Sequence, residues 1–365
     1  MKPLLKEIQH NKLLWLLVFV PVVFAAQQVA HDAHTLLFVL SVLAIVPLAA
    51  LLSHATESVA AKTGDAVGGL LNATLGNLTE LVIALTALRA GQYVLVKASL
   101  AGAIVTNTLF MLGASLLVGG LKYHAQEYNR VSARMQAGLL FLATVALLIP
   151  SAVSQADSVA GAAFTQQLSV GLSILLIAAY GLGMFFSLKT HPELFASADS
   201  GETEDPAPWP MSLALATLAG VTVLVGLVSE IFVESVQKAA ETFGMTPAFV
   251  GFIVVALVGA AAEMASAFAG ARKNRLDLSV GIALGSASQI ALFVAPVLVL
   301  VSYLIGPTPM NLQFWPGAVV MMLIATMSAS MVTNSGRSAW FVGVLLLMVY
   351  AIFAMTLYLL PPRVA

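Results

Sequence analysis

Residues 65–89 read DAVGGLLNATLGNLTELVIALTALR. The segment is apolar enough to sit in a membrane, yet it carries Asn72, Thr74, Asn77, Thr79 and Glu80, with Gly68, Gly69 and Gly76 among them. A carboxylate at mid-membrane depth costs ~3 kcal/mol or more on insertion scales. Glycines and oxygen-bearing side chains gathered around such a residue point to a cation site rather than to packing. The remainder of the chain reads as the machine built around Glu80.

Of the 365 residues, 60% are hydrophobic and 9% charged, whereas soluble domains carry about 25% charged residues. About 20 helical residues cross the hydrocarbon layer, and apolar stretches near that length recur along the chain. This predicts an all-α polytopic membrane protein with the lipid bilayer as its main partner. Eleven spans are predicted, at 13–29, 35–52, 66–88, 94–119, 136–153, 167–188, 211–233, 247–271, 278–305, 314–332 and 339–360. Lys2, Lys6 and Lys12 precede the first run, which reads as a retained helix rather than a cleaved signal peptide. A net charge of −1 points to no nucleic acid, and the absence of cysteine removes disulfides and thiolate metal sites. No nucleophile–base motif or H-E-x-x-H is present, so an enzyme is not expected. No resident cofactor is called for, and a homo-oligomer is compatible with the sequence.

The basic residues set the orientation. With the N-terminus inside, twelve of the sixteen Lys and Arg fall on inner segments, among them Lys62, Lys122, Arg130, Arg134, Arg272, Lys273, Arg275 and Arg337. The outer segments hold Arg89, Lys97, Lys238 and Arg363. This bias fits the positive-inside rule and an odd number of spans, which leaves the C-terminus outside. Residues 190–210 are polar and acidic, with Glu193, Asp199, Glu202, Glu204, Asp205 and four prolines. They read as a flexible cytoplasmic connector between two halves.

GNLTE at 76–80 has a counterpart in GAAAE at 259–263, 183 residues later, and the same offset pairs Gly102 with Gly285. The implied organisation is an N-terminal helix (1–34), a first five-helix repeat (35–189), the connector (190–210) and a second five-helix repeat (211–365). Five spans per half invert the second copy. Inverted repeats place the substrate site at the midplane, where interrupted helices meet, and the glycines supply the interruptions.

Calcium takes about six to eight oxygen ligands. Glu80 and Glu263 offer two mid-membrane carboxylates, with Asn77 and Thr79 beside Glu80. Ser99, Thr106 and Asn107 on the fourth span, and Ser286, Ser288 and Gln289 on the ninth, add hard oxygens. No His or Cys accompanies them, which argues against zinc, copper or iron. Two facing carboxyls repel and desolvation favours their neutral form, so each would hold a proton that a divalent cation displaces. His54 and Glu57, in SHATESVA after the second span, would serve as a cytoplasmic proton inlet or gate, or simply as interfacial residues at a helix end. Glu230 and Glu234, four apart at the outer end of the seventh span, read more as surface acids than as cation collectors.

The segment 53–85, SHATESVAAKTGDAVGGLLNATLGNLTELVIAL, resembles the first signature repeat of Ca2+/H+ antiporters of the cation/Ca2+ exchanger superfamily. VKASLAGAIVTNTLFMLG (96–113) is similar to the following span, and GSASQIALFVAPVLV (285–299) to the end of the second repeat. The resemblance implies the eleven-helix exchanger fold, Ca2+ held between the two glutamates, protons as counter-ions and, for so short a chain, a bacterial inner membrane. Ala260 and Met264 stand where the family's second signature carries Asn and His. That departure leaves Na+ or K+ exchange for protons as the alternative cargo.

Overall fold

The computed structural model describes residues 2–63, 65–153, 159–195 and 208–359. After a short helix, Lys2–His10, the chain forms α1 (Lys12–Val29), α2 (His34–Ala60), α3 (Asp65–Leu75), α4 (Leu78–Arg89), α5 (Tyr93–Tyr123), β1 (Ala125–Glu127), α6 (Arg130–Val153) and α7 (Gly161–Thr190). The second half forms α8 (Met211–Thr242), α9 (Pro247–Gly259), α10 (Ala261–Arg272), α11 (Leu276–Ile305), α12 (Pro316–Thr333), β2 (Arg337–Ala339) and α13 (Trp340–Leu359). The expected all-α architecture holds except for β1 and β2. These pair antiparallel, Ala125 opposite Ala339 and Glu127 opposite Arg337.

Among the described residues, nine helices are long and apolar enough to cross a membrane, and α9 with α10, bent by 59°, makes up to ten. The third expected span, 66–88, is two helices of 11 and 12 residues, α3 and α4, each too short to count among those nine. Several helices also outrun the hydropathy estimate. The 35–52 span continues to Ala60 through the polar SHATES sequence, and the 211–233 span to Thr242. Helical backbone needs no water for its own amides, so polar side chains can extend it beyond the apolar core. Asp199, Glu202, Glu204 and Asp205 of the connector, and Arg363, lie outside the described residues.

The inverted repeat is visible in irregularities as much as in helices. Helical dihedrals lapse at Asn77 (φ −99°, ψ 30°) and at Ala260 (φ −79°, ψ 5°). The turns after α4 and α10 each place one residue in the left-handed region, Gly91 (φ 72°) and Asn274 (φ 60°), again 183 apart. α5 and α11 each loosen into a single π-helical stretch, Thr106–Met111 and Ile290–Val294. Such bulges frequently mark functional sites.

The two halves interdigitate: α2 packs along α8, α5 against α9 and α13, and α6 against α12 and α11. Glycine permits the closest approach. A side chain on Gly102 would collide with the Phe252 backbone, and one on Gly251 would lie 2.5 Å from the Ala98 methyl. Contacts between loops sort into two ends. At the basic end, Lys122 and Tyr123 donate to the Arg272 carbonyl, and Gln126 to Ala271 and Asn274. At the opposite end, Tyr93 binds Thr308, and Lys238 meets His34. There residues 306–315 form an extended strap. Its amides at Met310, Leu312 and Phe314 donate to Ser302, Ser169 and Ser151.

Candidate functional site

Each half contributes a helix that restarts inside the bundle with a glutamate in its first turn: Glu80 in α4 and Glu263 in α10. A helix N-terminus carries partial positive charge, so both restarts favour a carboxylate at that position. The sequence forces the restart at Gly76–Asn77, where a small residue precedes one that readily leaves helical dihedrals. At Gly259–Ala260 only the glycine is special.

Asn77 is nearly fully buried and ties the halves together. Its amide nitrogen donates to Gln289 Oε1 at 2.5 Å, and its Oδ1 accepts from the Ser286 hydroxyl at 2.7 Å. Asn107 Nδ2 donates to the same Ser286 oxygen at 2.8 Å. Four of the residues expected from sequence thus form one network, from the first helix break through α11 to the π stretch of α5.

The acceptors left over face the same region. Glu80 Oε1, Glu263 Oε2, Asn107 Oδ1 and Gln136 Oε1 are buried and have no hydrogen-bond partner within the chain. Buried polar atoms are ordinarily paired, and a cluster of unpaired oxygens is the donor set a hard cation or a proton needs. Glu80 packs on the second break: a Cβ built on Gly259 would lie 3.0 Å from its Cγ and 3.3 Å from its Oε1.

The two glutamates differ in access. Glu263 lines a cavity of about 860 Å³ that also includes Ser286, Gln289, Asn72 and Gln136 and reaches Glu127, Asn274, Arg275 and Asp277 at the basic end. Glu80 does not line it. It lines a small cavity of about 20 Å³ with Ser99, Gly259 and Ile290, room for roughly one water-sized particle.

The remaining candidates divide. Thr79 is buried in α4's first turn. Ser99 lies beside Glu80 in the small cavity, its hydroxyl donating to the Val96 carbonyl. Thr106 and Ser288 are engaged away from the glutamates, with the Tyr350 hydroxyl and the Gln136 carbonyl respectively. Glu57 lines the mouth of the wide cavity and accepts from Ser53 at 3.0 Å. His54 packs against Trp209, ring centroids 4.4 Å apart. Glu230 forms an exposed pair with Arg89 at 3.5 Å.

Residues 33–189 and 213–359, which carry both helix breaks, match the sodium/calcium exchanger protein family. The chain belongs to that family. The exchanger is 38% identical over 359 residues to a Ca(2+)/H(+) antiporter of Aphanothece halophytica, covering 95% of this chain and 96% of that one. It is 41% identical over 333 residues to the Ca(2+)/H(+) antiporter ChaA of Bacillus subtilis, covering 90% and 94%. The solved structure of native YfkE superposes with a TM-score of 0.83 at 37% identity, covering 96% of this chain and all of that one. This exchanger is therefore a multi-pass membrane protein with bacterial homologues and an inverted-repeat fold. Sequence reading missed Gln136, whose signal was a lone amide in an otherwise apolar span, and Ser266, one turn beyond Glu263 on the cavity wall.

Proposed function

We propose that this exchanger is a secondary antiporter that moves Ca2+ against H+ by alternating access. Glu80 and Glu263 would bind cation or protons competitively, and no enzymatic step is involved. The observation that carries the reading is the pair of glutamates on opposed half-helices, each with an unpaired buried oxygen, one open to a wide cavity and the other enclosed. Similarity to proteins named Ca2+/H+ antiporters supports the cargo. Buried carboxylates together need compensation, and one divalent cation or protons supply it equally well. Asn77, Thr79, Ser99, Asn107, Ser286 and Gln289 complete the oxygen set, and Glu57 with His54 serves the cytoplasmic inlet.

In this reading the basic end is cytoplasmic, the N-terminus lies inside and the C-terminus outside, in a bacterial inner membrane. Residues 35–189 and 211–365 are the two working halves, joined by the 190–210 connector, and the conformation is open to the cytoplasm. The test is flux in everted vesicles. An imposed pH gradient drives Ca2+ accumulation, collapse of the gradient stops it, and lowering pH on the cation-loading side raises the apparent KM for Ca2+. Accumulation that ignores the gradient would refute antiport. Titration with Na+ and K+ addresses the second reading, exchange of a monovalent cation, which Ala260 favours by withholding an amide from the second break.

A further inference from the structure

The two ends of the exchanger can be compared position by position through the 183-residue offset. At the basic end the wide cavity separates the start of α11 from the β1–α6 segment. Its counterpart at the other end is the contact between the start of α5 and the strap leading into α12. That contact is shut. Lys97 Nζ donates to Asn311 Oδ1 at 2.6 Å and to the Gln313 carbonyl at 2.9 Å. The Tyr93 hydroxyl donates to the Thr308 carbonyl at 2.6 Å and accepts from its amide at 2.8 Å. What stays open at this end is a cavity of about 430 Å³ on the α8 side, lined by Tyr93, Leu95, Val236 and Ala240 among others.

The counterparts differ sharply in charge. The acids of the cytoplasmic mouth are Glu57, Glu127 and Asp277, with Arg275 beside them. The offset replaces the three acids by Ala240, Met310 and Val94. Lys97 corresponds to Val280, which lines the open mouth. Glu230 and Glu234 on α8 do not line the narrower cavity. Fields at a mouth change local ion concentration and capture rates. A mouth lined with excess negative charge gathers divalent cations, and one whose lining carries no acid holds them less.

We propose that the second access path opens between the start of α5 and residues 306–319, that Lys97 is the latch holding it shut, and that this acid-free mouth is where a divalent cation is released. The proposal rests on the antiport reading for its cargo, but the latch itself does not. The chain has no cysteine, so a single Val319→Cys, the counterpart of Gln136, reports on this path alone. Ser132→Cys reports on the cytoplasmic mouth.

With a membrane-impermeant thiol reagent outside right-side-out vesicles, Val319→Cys should label slowly. Adding Lys97→Met should raise its rate roughly tenfold, the scale on which loss of charged hydrogen bonds shifts a two-state equilibrium, and Lys97→Arg should not. Labelling of Ser132→Cys from inside should fall or hold. A rise at both positions would mean general unfolding and would overturn the latch, as would an unchanged rate at Val319→Cys with the protein intact. Lys97→Met should also let external Ca2+ inhibit exchange at several-fold lower concentration, and equal inhibition would overturn the release role. Labelling needs no transported ion, so failure of the Ca2+/H+ reading leaves the latch measurable.

Discussion

The two helix breaks are built at matching positions yet are held in different ways. The first, at Gly76–Asn77, is pinned by side chains of the other half, because Asn77 spans Gln289 and Ser286. The second, at Gly259–Ala260, offers no side-chain hydrogen bond of its own, and Gly259 is a bare shelf on which Glu80 rests. Each break therefore depends on the opposite repeat, the first for polar partners and the second for something to pack against it. An inverted duplication can thus keep two equivalent glutamates while dividing their support unequally. The glutamate after the amide-bearing break, Glu80, is the enclosed one, in a small cavity with Gly259, while Glu263 faces the wide cavity together with Gly76 of the first break.

The largest expected effect treats the halves as equal. Glu80→Gln and Glu263→Gln should each cut exchange at least ~100-fold, the scale of breaking a buried charge arrangement, while membrane insertion, followed by expression and monodispersity, is kept. Near-normal flux in either variant would end the two-carboxylate reading. Next comes Gly259→Ala, whose methyl would press on Glu80; overpacking of this kind costs about 1–3 kcal/mol of stability, so thermal stability should drop measurably and flux should fall roughly tenfold.

Removing Asn77 leaves Gln289 Oε1 and the Ser286 hydroxyl short of a partner, an effect of about 1–3 kcal/mol. Asn77→Ala should therefore raise the KM for Ca2+ by several-fold to ~tenfold, and Ala260→Asn should lower it. If Ala260→Asn changes neither affinity nor the preference for Ca2+ over Na+, the second break is not short of ligands. The smallest effect belongs to Ser288→Ala, within about twofold in flux, since that hydroxyl serves the Gln136 carbonyl rather than the site.

Much of this architecture is legible in the amino-acid sequence. The apolar spans, the charge bias between segments and the pairing of Glu80 with Glu263 follow from composition and offset, because membrane insertion imposes length and charge rules that act locally. The Asn77–Ser286–Asn107–Gln289 network assembles residues the sequence can nominate but not connect. Thr106 and Ser288 show the limit, since both have the right chemistry and both face Tyr350 or Gln136 instead. Rotation of a side chain by one helical position decides this, and the π stretch at Thr106–Met111 shifts the register in a way no hydropathy pattern reports. β1 and β2 are likewise invisible to periodicity. Three-residue strands are too short to carry one, and their partners lie more than 200 residues apart.

The strap at 306–315 has a consequence for life in a crowded bilayer. Its buried side chains alternate, Met310, Leu312 and Phe314 pointing inward, so although it belongs to no sheet it presents backbone groups much as an edge strand does. Such edges invite pairing with another chain. Here three serines from three helices occupy the amides on one side, while Asn311 takes the Gln313 amide and Lys97 its carbonyl. With those groups taken, a neighbouring copy finds fewer open backbone positions to extend.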